Sequence, residues 1–445
     1  GADLISFETF LDIRELRAGV IACRDVCSLP IIAQMTFDDA GRTVLGTPPS
    51  AAAVTLDALQ VDVIGSNCGL GIDGIYDVLA EMRQVTSLPL IAQANAGLPI
   101  LKNGETVFPG TPEEMTAYHE RLIALGVRVV GGCCGTTPTH ITAMRRAMDG
   151  YAQNWQPPER RGFLSSRNAV AEFGGDAPCA LIGERINPTG KKGYTKELLE
   201  GKTAYIRSEA TAQVSAGAHL LDVNCGAPGV DEPAALERAV YAVNGACSMP
   251  LVIDTSDPVA LERALKAADG KVLINSVNGE AKSLDSVLPL ARRYGAAVIG
   301  LTLDDDGIPK TVEKRIEIAE KIINRATSIG IALEEIVIDP LALTMGAEPD
   351  AGKIGLESIA AITQRFGVNI TMGASNISFG MPDREAINAS FLAMAIGLGK
   401  NCPITNPLKE QVALAVLAAD LCLARDEYGS NWIGAFRKRK KAKQA

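Results

Sequence analysis

The 445-residue chain has few aromatic residues, only three histidines and no uninterrupted apolar run of membrane-spanning length. Aromatic residues make up 4% of it, so a core must be built from small and branched aliphatic side chains, as in parallel sheets covered by helices. The net charge of -9 argues against a nucleic-acid partner. Because no signal peptide or apolar span is recognised, we expect a cytoplasmic protein with no membrane contact and with reduced thiols.

Reduced thiols make the ten cysteines either metal ligands or small core residues. Two of them, Cys133 and Cys134, are adjacent in the stretch GGCCGTTPTH. Successive side chains of a strand point to opposite faces, so these two can converge only if the strand ends and bends there. The neighbouring glycines permit the bend, and Thr137 with Pro138 predicts a helix start. The pattern therefore predicts a loop between a strand and a helix, where α/β barrels carry their chemistry.

Cys68 is the third candidate ligand, because it follows the apolar run VDVIG in the motif SNCGLG. Three thiolates would leave one tetrahedral position of a zinc ion open, which is typical of catalytic zinc, and a thiol substrate could fill it. The alternative is that Cys68, Cys133 and Cys134 are buried small hydrophobic residues.

Residues 1–150 contain five predicted strands, at about 2–8, 30–37, 61–68, 89–95 and 128–133, with amphipathic segments between them. A closed (β/α)₈ barrel needs eight strands. The pattern predicts an α/β fold in which the first TIM-type barrel is incomplete, with about five strands.

The remainder of the chain divides into three predicted parts. Residues 151–178, rich in Pro, Arg, Ser and Gly, are predicted to connect two domains. Residues 179–428 contain eight strand candidates alternating with helical patterns, which predicts a complete TIM barrel. Residues 429–445 are a basic tail with six Lys or Arg between Arg437 and Lys443, predicted to be solvated and disordered, with a contact surface for a partner as the alternative.

Polar residues recur at the strand ends of this second barrel. Buried carboxylates and amides are unfavourable unless a partner satisfies them, so the repetition points to a polar ligand, although each residue taken singly could cap a helix. The set comprises Glu184, Asn187, Asp222, Asn224, Asp254, Asn275, Asp339, Ser375 and Asn376.

Two sets of motifs resemble known families. The stretches GADLISFETF, IIAQMTFDDAGR, SNCGLG, QANAGLPI and GGCCGTTPTH resemble the homocysteine S-methyltransferase family. GERINPTGKKG resembles the pterin-binding module of cobalamin-dependent methionine synthases, which also have the two modules in this order. The chain begins at a point similar to the fourth strand of the first family's barrel, so the resemblance implies an N-terminally incomplete copy.

The resemblance implies methyl transfer from 5-methyltetrahydrofolate, through a corrinoid, to zinc-activated homocysteine. For the first module it implies zinc ligation by Cys68, Cys133 and Cys134, with Glu8 and Asn95 as candidate homocysteine contacts. For the second it implies a pterin site, whose ring-edge donors suit Asp and Asn side chains. The implied pterin residues are Asp254, Asn275 and Asp339 on the ring edge, Gly373 and Ser375 lining the pocket, Asn187, Asp222 and Asn224 nearby, Asn376 donating to N5, and Arg384 close by.

The corrinoid-binding loop of the family, Asp-x-His-x-x-Gly, does not occur in this chain, whose histidines are His119, His140 and His219. We therefore expect cobalamin to be carried by a further domain or a separate subunit. Two alternatives remain open: a folate-binding component or scaffold of a corrinoid complex with a non-functional first module, and a pterin enzyme similar to dihydropteroate synthase, which would not explain the three cysteines.

Overall fold

The computed structural model describes residues 1–149 and 156–442, which form two compact units. The first contains the described residues of 1–160 together with 165–170 and 269–271, and the second contains the others. Each unit is organised around its own parallel sheet. None of the helices among the described residues is both long and apolar enough to cross a membrane.

Seven strands lie in the first unit. They are β1 (Ile5–Phe10), β2 (Ile31–Met35), β3 (Val63–Asn67), β4 (Leu90–Ala94), β5 (Ile100–Lys102), β6 (Glu105–Val107) and β7 (Val127–Gly132). Five of them form an open parallel sheet in the order β1-β2-β3-β4-β7, which confirms the predicted five-stranded partial barrel. Strands β5 and β6 form a separate antiparallel hairpin that the sequence analysis did not predict.

Six helices accompany this sheet: α1 (Ile13–Val26), α2 (Pro49–Ala58), α3 (Ile72–Arg83), α4 (Pro112–Thr116), α5 (His119–Ala124) and α6 (Pro138–Asp149). Local sequence explains several of their starts. The Asp12 carboxylate accepts the Arg14 N–H at 2.9 Å, and Thr111 with Glu114 forms a capping box at α4. The helices bury aliphatic side chains against the sheet in one core that includes Leu16, Ile64 and Leu79.

A two-stranded hairpin lies in the segment that was predicted to connect the two domains. Its strands are β8 (Gly162–Ser165) and β9 (Val170–Phe173). Leu164 and Phe173 are buried in the same core cluster as Ile182 and Leu220 of the second unit. Residues 150–155, at the start of the predicted connection, lie outside the described residues.

Eight strands of the second unit form a closed parallel barrel, as predicted. They are β10 (Ile182–Ile186), β11 (Leu220–Asn224), β12 (Leu251–Asp254), β13 (Leu273–Asn278), β14 (Ala297–Leu301), β15 (Ile336–Asp339), β16 (Asn369–Gly373) and β17 (Cys402–Thr405). Aliphatic side chains from alternating positions fill the interior below the carboxyl ends of the strands. The carboxyl ends are thereby left for polar residues.

Helices surround the barrel: α7 (Lys192–Leu199), α8 (Ala204–Ser215), α9 (Glu232–Asn244), α10 (Pro258–Ala267), α11 (Ala281–Tyr294), α12 (Val312–Ser328), α13 (Ala351–Phe366), α14 (Arg384–Gly397), α15 (Glu410–Cys422) and α16 (Ser430–Ala442). Short 3₁₀ turns occupy Leu333–Glu335, Ala374–Asn376 and Glu427–Gly429.

Helix α16 corrects the prediction of a disordered basic tail. The Asp426 carboxylate accepts the N–H groups of Asn431 and Trp432, both at 2.9 Å, and so holds the first turn of the helix. Basic residues occupy the last turn, where their positive charges interact favourably with the negative end of the helix dipole. Residues 443–445 of the predicted tail lie outside the described residues.

Candidate functional site

Three cysteine thiols meet at the carboxyl edge of the open sheet. Cys68 follows β3, and Cys133 and Cys134 follow β7, while both strands pair with β4 between them. The three sulfur atoms lie within 4.8 Å of one another, and those of Cys68 and Cys134 are 3.7 Å apart. Sulfur ligands at about 2.3 Å from a tetrahedral zinc ion would be roughly 3.8 Å apart. The donor set and spacing therefore fit zinc.

Backbone conformation turns Cys68 toward the other two thiols. Its φ is 59°, in the left-handed region that non-glycine residues adopt rarely, and Gly69 follows with φ 71°. A Cβ on Gly69 would lie 2.4 Å from the Phe37 carbonyl oxygen, so no larger residue fits there. Such strained positions persist only where the surrounding structure imposes them, and they concentrate at functional sites.

Two buried asparagines hold the cysteine loops. The Asn67 amide accepts the Thr9 N–H and donates to the Thr9 hydroxyl, both at 2.8 Å, and its nitrogen lies 3.9 Å from the Cys133 sulfur. Asn95 accepts the Cys134 N–H at 3.1 Å. The sequence analysis missed Asn67, for which the available signal was its place directly before Cys68 at the end of a strand. Asn95 was predicted to contact the substrate; its side-chain oxygen holds the loop that carries Cys134.

Glu8, the other predicted substrate contact, lies on the edge strand β1 and is exposed to solvent. It directly precedes Thr9, the residue that Asn67 binds. The structure therefore places Glu8 one residue from the asparagine network that supports the thiols.

The surroundings of the Cys133 thiol disfavour its ionised form. Burial, together with the neighbouring Cys68 and Cys134 sulfurs, raises the pKa of the Cys133 thiol to about 11, because a second negative charge there would be repelled. A bound divalent cation reverses this preference and stabilises the thiolates.

A second polar cluster lies at the carboxyl ends of strands β11, β12 and β13. Asn224, Asp254 and Asn275 are partners in the strand register, so they stand side by side at one level of the barrel. Asp222 lies two residues before Asn224, on the same face, and accepts a hydrogen bond from the Asn275 amide at 3.2 Å. Four of the predicted pterin residues are thus brought together.

Burial raises the pKa values of the carboxyl groups at this end of the barrel. Burial raises the pKa of Asp222 well above its usual value, and the nearby Asp254 carboxylate raises it further. Burial raises the pKa of Asp254 to about 6, although hydrogen bonds from Asn224 and Asp222 act to lower it. Asp339, at the end of β15, also has a pKa raised to about 6 by burial, although its oxygen accepts the Leu341 N–H at 2.7 Å. A ligand that donates hydrogen bonds to these carboxyl groups would favour their ionised forms.

The raised pKa of Asp254 should make the free energy of unfolding depend on pH. A carboxyl with a pKa near 6 when folded and near 3.8 when unfolded binds more protons in the folded state between those values, so its contribution falls as pH rises through that window. We expect Asp254→Asn to stabilise the ligand-free protein by about 3 kcal/mol at pH 7.5 and by well under 1 kcal/mol near pH 4. Denaturant unfolding at both pH values checks this. Asp257→Asn, at the N-cap of α10, is the matched control, and an equal gain in both variants would contradict the explanation.

Four further predicted pterin residues lie at the end of β16, in the turn that follows it and at the start of α14, namely Gly373, Ser375, Asn376 and Arg384. The Ser375 hydroxyl donates to the Glu184 carboxylate at 2.9 Å, and Arg384 donates to the Ser375 carbonyl at 2.6 Å. Asn376 is exposed at the mouth of the barrel. A Cβ on Gly373 would lie 3.2 Å from the Asn376 amide nitrogen, so glycine makes room for that side chain.

Two predicted residues also shape the loops at the mouth. The Asn187 side-chain oxygen accepts the Thr189 N–H, and that of Asn224 accepts the Gly226 N–H, both at 2.9 Å. These are local turns of the kind that asparagine favours. The Asn187 NH₂ group can donate to a ligand, whereas the Asn224 side chain also hydrogen-bonds the Asp254 carboxylate.

Lys400 is a buried cation, acted on by the charge of Asp339, that the sequence analysis missed. Its side chain is fully buried and donates to the Met372 carbonyl at 2.8 Å. Burial lowers its pKa to about 8, while the charge of Asp339 acts in the opposite direction. A lysine just before a strand gives no sequence signal of such burial, because most lysines there reach solvent.

Comparison with known proteins gives two family matches. Residues 1–148 match the homocysteine S-methyltransferase family, and residues 183–406 match the pterin-binding enzyme family. The chain is 32% identical over 415 residues to methionine synthase of Mycobacterium tuberculosis and 32% identical over 419 residues to that of Mycobacterium leprae. Each alignment covers 88% of this chain and 34% of the relative, so the chain spans about a third of the length of these curated relatives.

Among solved structures, Yersinia pestis dihydropteroate synthase is 17% identical, with a TM-score of 0.44, and the alignment covers 59% of this chain and 98% of that one. The two family matches confirm the resemblance found in the motifs. The chain therefore belongs to the pterin-binding enzyme family, and it combines that family's domain with a preceding homocysteine S-methyltransferase domain.

Proposed function

We propose that this chain binds the methyl donor and the methyl acceptor of a methionine-forming reaction. The donor is 5-methyltetrahydrofolate, the acceptor is homocysteine, and a corrinoid on a further domain or subunit carries the methyl group between them. The observation that supports this most strongly is the presence, in one chain, of a three-thiol cluster and a carboxylate-lined barrel mouth.

The first unit would use Cys68, Cys133 and Cys134 to hold zinc. Zinc, when bound there, would act as a Lewis acid that lowers the pKa of the homocysteine thiol so that its proton passes to solvent near neutral pH, and the three thiolate ligands would keep that sulfur electron-rich. Asn67 and Asn95 would fix the loops on which the ligands lie, and such supporting contacts commonly tune metal affinity. Glu8, exposed close to this network, would bind the substrate ammonium.

The second unit would bind the pterin through its carboxylates. The pterin ring edge offers N–H and NH₂ donors beside a carbonyl, and Asp254, Asn275 and Asp339 present matching groups. Binding would relieve the unfavourable burial of the carboxylates, because the donors on the ring favour their ionised form. Asp222 and Asn224 complete this arrangement from the neighbouring strand.

Methyl transfer from N5 requires activation, since a methyl group on a tertiary amine is a poor electrophile until positive charge develops on the nitrogen. Asn376 would hydrogen-bond N5 and strengthen that bond as charge develops, which favours the transition state over the ground state. An amide is not an acid, so a separate proton source is required. Ser375, held by Glu184 and Arg384, keeps the Asn376 turn in place.

Folate binding tests the second site. We expect Asp254→Asn to weaken 5-methyltetrahydrofolate binding by about 10- to 100-fold, because a charged hydrogen bond is replaced by a neutral one. Calorimetric titration of the wild type, Asp254→Asn and the Asp257→Asn control measures this. Equal affinities in the three proteins would contradict the assignment of Asp254. The same substitution should stabilise the empty protein, as expected where function opposes stability.

A pterin enzyme similar to dihydropteroate synthase is the weaker candidate, because it gives the thiol cluster no role. A folate-binding scaffold also has no use for three sulfur atoms at metal-ligand spacing. Both alternatives predict that the protein binds folate and does not bind zinc.

A further inference from the structure

Two buried charged side chains, Lys400 and Asp339, are linked through one peptide group at the end of β16. The Lys400 ammonium donates to the Met372 carbonyl at 2.8 Å. The N–H of the same peptide group belongs to Gly373, and it donates to the Asp339 carboxylate. A peptide group held between a cation and a carboxylate is polarised, which strengthens the hydrogen bond at each end. The ammonium therefore acts on Asp339 at the carboxyl end of the barrel.

The second backbone donor to Asp339 is also supported by a buried cation. The Leu341 N–H donates to the Asp339 carboxylate at 2.7 Å, and the Leu341 carbonyl accepts from the Arg315 guanidinium at 3.0 Å. Burial raises the pKa of Asp339 to about 6, although the charges of Lys400 and Arg315, both fully buried, act to lower it. Loss of either cation would therefore favour the protonated form of Asp339.

The surroundings of Lys400 direct its charge toward Asp339. The ionisable groups that act on its ammonium are Asp339, Glu184, Cys179 and Cys402, and Asp339 has the largest effect. Burial raises the pKa of both thiols, that of Cys402 to about 12, so both are neutral near pH 7. Burial lowers the pKa of Lys400 only to about 8, so most of it is protonated at that pH. The buried ammonium is therefore compensated mainly by Asp339.

We propose that Lys400 is a positioning residue of the pterin site, whose ammonium holds the Asp339 carboxyl in the ionised form that accepts hydrogen bonds from the ring edge. The inference rests on the proposed function, because that function places Asp339 on the ring edge. An ionised carboxylate only accepts hydrogen bonds, whereas a protonated one carries a donor that opposes the donors of the ring. A buried ammonium is unfavourable by itself, and an apolar side chain of similar length would avoid that penalty. Its role beside Asp339 explains why a lysine lies there.

The pH dependence of folate binding tests this role. Lys400→Gln keeps a donor for the Met372 carbonyl but removes the charge, so the pH at which binding is half lost on the acid side should rise by about half to one pH unit. The affinity for 5-methyltetrahydrofolate should fall about fivefold at pH 6 and less than about twofold at pH 8, because only protonation of Asp339 is altered. Calorimetric titration of both proteins across this range measures the profiles.

Lys271→Gln is the matched control, because Lys271 is also a buried lysine two residues before a strand of the barrel, β13. It should retain the wild-type profile. In an Asp339→Asn background, Lys400→Gln should leave the profile unchanged. An equal loss of affinity at pH 6 and pH 8 would show that Lys400 only supports the structure, and a shift that persists without Asp339 would assign its effect to Glu184. Either result overturns the inference.

Unfolding of the ligand-free protein separates this inference from the proposed function. The folded Asp339 carboxyl binds more protons than the unfolded one between pH 3.8 and about 6, so the stabilisation by Asp339→Asn should grow with pH across that window and then become constant. In a Lys400→Gln background the growth should continue to about pH 7. Growth that ends at the same pH in both backgrounds would overturn the inference, whereas a protein that shows the extension but binds no folate would overturn the proposed function.

Circular dichroism shows whether each variant folds. Lys400→Met, which removes the charge and retains a side chain of similar length, replaces Lys400→Gln in every comparison if the glutamine variant does not fold.

Discussion

Replacing Cys133 with alanine is expected to weaken zinc binding by a factor on the order of 100 to 1000. A structural zinc site contributes about 10–16 kcal/mol, so each of four ligands accounts for about 2.5–4 kcal/mol. Cys133 also contacts Asn67, so its loss removes one end of the network that holds the loops. Wild-type protein should bind about one zinc ion per chain, measured by metal analysis after dialysis against a competing chelator.

The control for this substitution is Cys422→Ala, which removes an exposed thiol from the end of α15 in the other unit. It should retain the wild-type zinc content. Circular dichroism of both variants tests whether they remain folded. If the Cys133 variant stayed folded and still held one tightly bound zinc ion, the three thiols would not be the metal site.

Asn376→Ala is expected to slow methyl transfer from 5-methyltetrahydrofolate by about 100- to 1000-fold, the usual effect of deleting one donor that stabilises charge developing in the transition state. Binding of the folate should weaken much less, because the hydrogen bond strengthens only as N5 becomes charged. Reduced cobalamin is added as the methyl acceptor, and the change in cobalamin absorbance during a single turnover measures the rate.

Asn324→Ala is the control for this effect, since Asn324 is an exposed asparagine on α12. Its rate should equal that of the wild type. If Asn376→Ala weakened folate binding but left the rate of methyl transfer at saturating folate unchanged, the residue would bind ground state and transition state alike, and the proposed role at N5 would be wrong.

Regular patterns made the fold predictable. Each parallel strand is an apolar run that ends in polar or small residues, as in VDVIGSNC and PLVIDTSDP, so the five-stranded sheet and the eight-stranded barrel were both predicted. The cysteine cluster was predictable for the same reason. Two strand ends identified in the sequence carry Cys68 and the pair Cys133 and Cys134, and parallel strands bring their carboxyl ends to one edge.

Features that depend on tertiary contacts were not predictable. Strands β5 and β6 have three residues each, too short for a period to show. The basic segment at the end of α16 has no apolar stripe that would predict a helix. The first turn of α16 is held by hydrogen bonds to Asp426. Lys400 and Asn67 are buried beside residues that are distant in the sequence, and no local sequence pattern predicts such contacts.

Transfer of a labelled methyl group between the two substrates tests the central claim most directly. Zinc-loaded protein, incubated with [methyl-¹⁴C]5-methyltetrahydrofolate, homocysteine and reduced cobalamin, should yield labelled methionine. Cys133→Ala should still demethylate the folate but form no methionine, and Asn376→Ala should do neither at an appreciable rate. Label that reaches cobalamin but never homocysteine in the zinc-loaded wild type would contradict the account, since the thiol cluster would then not activate the acceptor.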